Sequence, residues 1–416
     1  MDVRSERKTG AIDLPSPSAQ NRGESIGGTH IRPLFISQSV PSEGRFVIGE
    51  SRDIKPIIAI LTMHDKKLIF RGNRNNFRDI IHTGEELGCS VYIVTVRDLK
   101  LSSREIKGYR YDAHLKEWVQ DLFPLPQVIY NRIPQREDEQ DPLVIKKIQE
   151  CLDHPGITLF NPYFFNKWDL FEWLSKVKST RDFIPYTNKL RTRRGLGKVL
   201  EKYPYVYLKP ENGKAGKGIM LLTFHKKEKL PYILRIQDNK KSVTYKTATL
   251  QKLWNRVKLE TEDCRYIIQQ GIKLASYKGR PFDLRVLVQK NSKGAWSLSG
   301  IGARLAGHKS ITTHVPRGGS VEDPFELLTE VFGSDGANKI MDHVKETSIT
   351  IAKQVEKAAG HKLGEMSMDL GVNPSGGICF FEANAKPMKF DEPLIRKRSL
   401  ERIIHYCTYL ARQIEK

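Results

Sequence analysis

The stretch Glu365-Met-Ser-Met-Asp-Leu-Gly-Val372, Asn373-Pro-Ser-Gly-Gly377, Ile378-Cys-Phe-Phe-Glu-Ala-Asn384 decides how the rest of the chain is read. Apolar residues alternate along both flanks, and the middle is built from turn formers, so the segment predicts two strands joined by a Gly-rich turn. Period-two alternation puts Met366, Met368, Leu370 and Val372 on one face and Asp369 on the other. Glu382 and Asn384, two residues apart, share a face, and hairpin pairing can bring Asp369 beside them. Two carboxylates and an amide oxygen suit a hard cation such as Mg²⁺, which prefers oxygen ligands and completes its shell with water and substrate phosphates. Taken alone, the same pattern also describes an amphipathic hairpin with solvent-facing acids.

A second segment lies roughly 160 residues upstream. Tyr205-Val-Tyr-Leu-Lys-Pro-Glu-Asn-Gly-Lys-Ala-Gly-Lys-Gly-Ile-Met-Leu-Leu222 reads as strand, glycine loop, strand. Gly213, Gly216 and Gly218 permit close backbone approach, so main-chain N–H groups can face phosphate oxygens while Lys214 and Lys217 add charge. Lys209 stands at the strand end just before the loop. The spacing is not that of a P-loop, and a strand rather than a helix follows, which argues against a dinucleotide-binding turn. A plain flexible turn would carry the same glycines.

Outward from these segments, the 416 residues are enough for two or three domains. Residues 1–53 are rich in Ser, Pro, Gly and charge and predict a disordered leader. From Lys55 the texture changes to strand, helix, strand: Ile57–Leu61, an apolar helical period through Phe77, Ile80, Ile81 and Leu87, then Val91–Val94. A strand at Val128–Tyr130 and a helix near 142–152 extend this into a small parallel α/β unit ending near Asn161 and Pro162. After a helix at about Lys167–Lys176 the chain becomes strand-rich. Ile340, Val344, Ile351 and Val355 then mark a long amphipathic helix that Gly360 can end.

The chain carries 69 Lys and Arg against 48 Asp and Glu, a net charge of +21, which favours an anionic partner. Nucleic acid is not expected, because no basic stripe interleaved with aromatics is present. No apolar run suits a membrane span, and the charged opening Met1–Lys8 does not read as a signal peptide, so the expectation is a cytoplasmic protein. The five cysteines form no CxxC pair, which argues against a zinc site or a disulfide framework.

Together, in this order and at this separation, the two segments resemble the ATP-grasp superfamily. The resemblance implies a small α/β domain over residues 54–163 followed by a two-part ATP-grasp domain over 164–416. Its glycine-loop part would span about 185–272 and its metal-binding part about 273–412. Lys209 matches the family's strand lysine, Gly213 to Gly218 its mobile loop, and Ile268-Gln269-Gln270-Gly271-Ile272 its adenine-contacting segment. Asp369, Glu382 and Asn384 match its magnesium ligands, and Lys167 resembles an earlier lysine that also reaches the nucleotide. Phe282-Asp283-Leu284-Arg285-Val286 looks like the strand whose arginine approaches the transferred phosphate or a substrate carboxylate. Arg285 is therefore the catalytic candidate, with Arg304 assisting, and Thr313–Gly319 a candidate substrate loop. Asn131 and Arg132, after a strand of the first unit, are expected to shape the acceptor pocket.

At closer range, residues 55–412 are similar to the endospore coat-associated YheC/YheD family through the LKP–glycine loop, FDLR and FEANAKP elements. ATP and Mg²⁺ are the cofactors this implies, a carboxylate and an amine the substrates, an acyl phosphate the intermediate, and spore coat proteins the companions. A nucleotide-binding coat protein without ligase chemistry, or a kinase that stops at phosphoryl transfer, are the alternatives.

Overall fold

The structure is a computed structural model that describes residues 55–203, 205–213, 217–237, 242–262, 264–307 and 318–414. The leader, Lys214, Gly216 and most of the 313–319 loop lie outside the described residues.

The first sheet has six strands in the order Glu117–Pro124, Glu105–Asp112, Ser90–Thr95, Ile57–Thr62, Val128–Asn131, Thr158–Phe160. The last four run parallel, as the strand–helix alternation predicts. The first two form an antiparallel hairpin on the edge, paired from Glu105 with Pro124 to Asp112 with Glu117. The sheet is therefore larger than the small parallel one expected and mixed in direction. Charged residues scattered along both hairpin strands hide the apolar alternation that would have disclosed them.

Each parallel strand is buried on both faces. Ile58 and Ile60 point to one core with Phe77 and Ile80 of the helix Arg74–Glu86. Ala59 and Leu61 point to another with Val144, Ile148 and Cys151 of the helix Pro142–Asp153. The C-terminal helix, Pro393–Ile414, adds Ile403, Ile404, Tyr406, Cys407 and Leu410 to the Ile58 core. The end of the chain thus covers the sheet made by its first described strands, across the boundary expected near residue 163.

A second, antiparallel sheet runs Ser242–Thr247, Tyr232–Gln237, Met220–Phe224, Tyr205–Pro210, Tyr266–Gln270, Thr187–Lys189. The third follows the order Ser320–Glu322, Trp296–Leu305, Arg280–Lys290, Glu365–Val372, Ile378–Asn384. Against it lies the helical stretch Pro324–Ala359, broken at Gly333 where the backbone turns to φ 73°, and it seats Leu328, Val344, Ile351 and Val355 on Leu284, Val286, Met366 and Met368. Asp323 caps its start through the N–H groups of Phe325 and Glu326, and Gly360 ends it in the left-handed conformation at φ 71°. No helix among the described residues is long and apolar enough to cross a membrane.

Candidate functional site

Four neighbouring strands of the third sheet carry the charged side chains. Arg285 lies opposite Asp369, Asp369 lies opposite Glu382, and Asp283 lies opposite Arg304. A register shift between Asp369 and Leu370 puts Glu382 opposite Asp369 and Phe380 opposite Leu370, leaving Phe381 as the extra residue. This bulge re-aims the second strand. Phe380 and Ala383 enter the core, while Phe381, Glu382 and Asn384 line a cleft of about 1080 Å³. Unbroken alternation could not have sent both Phe381 and Glu382 to the same side.

Lys209, Gln269 and Gly213 line that cleft from the second sheet, and Lys167 does so from the start of its helix. Asn166 caps this helix by accepting from the N–H groups of Trp168 and Asp169, which fixes where Lys167 emerges. Lys167 Nζ is 3.0 Å from Glu382 Oε2 and donates to the carbonyl of Gly213 at 3.1 Å. Lys209 Nζ donates to Gln269 Oε1 at 2.6 Å and sits over the rings of Tyr207 and Phe381. Burial lowers the Lys209 ammonium to about 8, against the attraction of Glu382. Glu382 falls to about 2 because Lys167 and Lys209 outweigh the burial that would raise it.

Arg304 is the hub of the acidic side. Its Nε and Nη2 each donate to Asp283 at 2.8 Å, and Nη2 also meets Asp369 Oδ2 at 2.8 Å. Asp369 remains raised, chiefly by burial and also by Glu382 and Asp283, although Arg304 pulls it down. Arg285 lies over the ring of Phe390, and its buried Nε has no hydrogen-bond partner among the described residues.

The glycines differ in duty. Gly218, at φ 71°, has the Tyr266 hydroxyl 2.8 Å from where a Cβ would stand, and Tyr266 donates to its carbonyl. At Gly271 a Cβ would fall 1.9 Å from the Tyr205 ring, so this position supports the aromatic wall rather than the cavity surface. Gln270 and Ile272 line the cleft on either side of it. Lys217 is exposed at the loop's far end.

Lys167, Lys209, Gly213, Gln269, Gln270, Ile272, Arg285, Arg304, Asp369, Glu382 and Asn384 therefore share one cavity wall. Asn131 does not itself line the cleft but holds the turn that does, donating to the carbonyl of Pro162 and accepting from the N–H of Ile133. Arg132 lines the cleft but is tied to Glu365 at 3.2 Å and to the carbonyl of Pro387. Asp283 and Lys386 stand inside the FDLR and FEANAKP elements but were given no role there, and Arg136 was not singled out. Asp283 could have been found from its two-residue offset to Arg285, and Lys386 from the same offset to Asn384. Arg136 follows a strand end with no local signal.

The oxygen donors fit a divalent cation. Asp369 and Glu382 face each other across the hairpin, and Asn384 Nδ2 donates to Glu382 Oε1 at 3.3 Å, which leaves its Oδ1 as an acceptor. Among the described residues no cluster of three His, Cys, Asp or Glu side chains gathers for a metal, so a cation at this hairpin would have to draw on the Asn384 amide oxygen as a third protein donor. Like-charge crowding at Asp369 is the electrostatic demand that a hard cation would meet.

This architecture, with two sheets enclosing a lysine-lined cleft, defines an ATP-grasp protein. The ATP-grasp ligase PsnB, solved with a minimal precursor, superimposes with a TM-score of 0.50 at 12% identity, covering 86% of this chain and 100% of that one. Residues 156–410 match the YheC/D like ATP-grasp family, and the chain belongs to it. Endospore coat-associated protein YheD of Bacillus subtilis is 27% identical over 394 residues, 91% of this chain and 84% of that protein. Endospore coat-associated protein YheC of the same organism is 22% identical over 302 residues, 73% and 82% of the two chains.

Proposed function

We propose that the protein is an ATP- and Mg²⁺-dependent ligase that joins a carboxylate to an amine, working in or on the forming spore coat. The observation that carries this reading is the single cleft shared by Lys209, Arg285 and the paired acids Asp369 and Glu382. In the first step a substrate carboxylate oxygen attacks the γ-phosphorus of ATP, the bond to the bridging oxygen breaks and ADP leaves. An amine then attacks the acyl carbon and displaces phosphate, losing a proton as the amide forms.

No side chain need become a nucleophile, so the protein contributes position and charge. Lys209 and Lys167 would hold phosphate oxygens, each exchanging a present partner, Gln269 or Glu382, for the nucleotide. Arg285, whose Nε has no partner among the described residues, would stabilise charge on the transferred phosphoryl group or the attacking carboxylate. Asp369, Glu382 and Asn384 would hold Mg²⁺, whose charge neutralises the phosphates when bound. Gln270 and Ile272 would flank the base, with Gly271 keeping Tyr205 in place.

ADP release from ATP, screened across carboxylic acids and amines singly and in pairs, tests the reading. Release that requires both partners supports ligation, and release with an acid alone that yields a stable acyl phosphate indicates a kinase. The coat-associated names of both relatives favour a second reading, a nucleotide-binding coat component without turnover. Tight ATP binding with no ADP from any pair would select it.

A further inference from the structure

The first α/β unit closes one side of the cleft with the turn that follows its strand Val128–Asn131. This is the carboxyl end of a parallel strand, where open α/β sheets take ligands. Three cations gather there. Arg132 is matched by Glu365 at 3.2 Å, and Lys386 by Glu139 at 2.6 Å. Arg136 is not matched: it donates to the carbonyl of Phe165 at 2.7 Å and lies over the ring of Phe164, with no carboxylate in ion-pair range among the described residues.

The arginine is also held in position. Asn131 pins the turn through Ile133 and Pro162, and Arg132 ties it to the carbonyl of Pro387 just past the acidic hairpin. Lys386 shares the Phe164 ring with Arg136 and reaches back to the carbonyl of Ile133. Taking a guanidinium partly out of water without a counter-ion is costly, and the cost is recovered when an anion docks. Burial accordingly lowers the Arg136 guanidinium from its usual range, with Glu139, Glu137 and Glu382 only partly restoring it. A planar fork with spare donors matches a carboxylate in two-point contact. The cavity, at about 1080 Å³, is at the upper end for one small ligand and has room for a second substrate beside a nucleotide.

We propose that Arg136 receives a substrate carboxylate that the reaction does not consume. One of the two substrates is then an amino acid, a dicarboxylic acid or an acidic peptide, not a simple acid or a simple amine. This rests on the ligase reading, because it assumes that the cleft holds a second substrate beside ATP.

The test uses the full chain with Mg²⁺ and a non-hydrolysable ATP analogue, with ligand binding followed by ligand-observed NMR. Glutarate is compared with butyrate, which places the extra carboxylate on the acid. Glycine is compared with methylamine, which places it on the amine. The expected result is that in one pair the carboxylate-bearing member binds at least about tenfold tighter, a difference of about 1.4 kcal/mol. Arg136→Gln should erase that gap, Arg136→Lys should restore part of it, and nucleotide affinity should stay within about twofold in both. Equal binding within both pairs by the wild type overturns the proposal. So does a gap that survives in Arg136→Gln, or a loss of nucleotide affinity, which would assign the arginine to the phosphates. If the wild type takes up no nucleotide, the ligase reading fails separately, and the same four titrations without nucleotide still read Arg136.

Discussion

Replacing Arg304 with methionine removes the cation that joins Asp283 to Asp369 while keeping much of the side-chain bulk. All three side chains are nearly out of solvent, at 9%, 5% and 15% exposure. Three contacts of 2.8 Å vanish together, and two carboxylates are left facing each other close to Glu382. Breaking a buried ion pair from one side costs about 3–5 kcal/mol, because the surviving charge keeps its desolvation penalty. The loss should depend on pH. Asp369 is already raised in the wild type and rises further without Arg304, so its penalty is absent below the unfolded carboxylate range and fully present above the folded value. Urea unfolding followed by circular dichroism should therefore show a large deficit at about pH 7 that shrinks towards about pH 4. Adding Mg²⁺ at neutral pH should restore more stability to Arg304→Met than to the wild type, since a divalent ion on Asp369 and Glu382 supplies the missing charge. A deficit below about 1 kcal/mol, or one that is the same at both pH values and indifferent to Mg²⁺, would refute the electrostatic reasoning.

Lys209→Met should weaken ATP binding, and the wild type should lose affinity as pH climbs past about 8, by up to tenfold per unit, because phosphate needs the charged ammonium. The folded chain binds fewer protons here than the unfolded one between about 8 and the ordinary lysine value, so wild-type stability should rise over that window. Calorimetric titrations at several pH values and matched unfolding curves check both trends, and Lys209→Met should flatten them. Gly271→Ala drives a methyl into the Tyr205 ring and strains the bond from the Gly271 N–H to the Tyr205 carbonyl. An overpacking cost of about 1–3 kcal/mol is expected, together with weaker nucleotide binding; a thermal midpoint equal to that of the wild type would argue that the ring moves freely.

What was legible in the sequence is what repeats locally. Alternation gave the acidic hairpin and the Lys209 strand, and a helical period with a terminal glycine gave the helix ending at Gly360. The C-terminal helix carried a readable period too, in Ile403, Tyr406, Cys407 and Leu410, but its partner sheet lies roughly 240–350 residues away and nothing local names it. Register is the other hidden quantity. That Asp283 meets Arg304, and Arg304 meets Asp369, depends on how three strands slide against one another. The bulge at Phe381, which turns Glu382 into the cleft, is invisible in a pattern of single residues. Arg136 owes its place to a turn pinned by Asn131 and Arg132, and such long-range tethering leaves no mark on neighbouring sequence.

The proposed ligation requires Mg²⁺ and ATP to meet in the cleft between the hairpin acids and Lys209. Calorimetric titration of ATP into the wild type and into Glu382→Ala, each with Mg²⁺ and with a chelator, measures this directly. The wild type should bind at least about tenfold tighter with the metal, and the variant, folded by circular dichroism, should bind equally weakly in both buffers. A variant that keeps the full metal-dependent gain would contradict it.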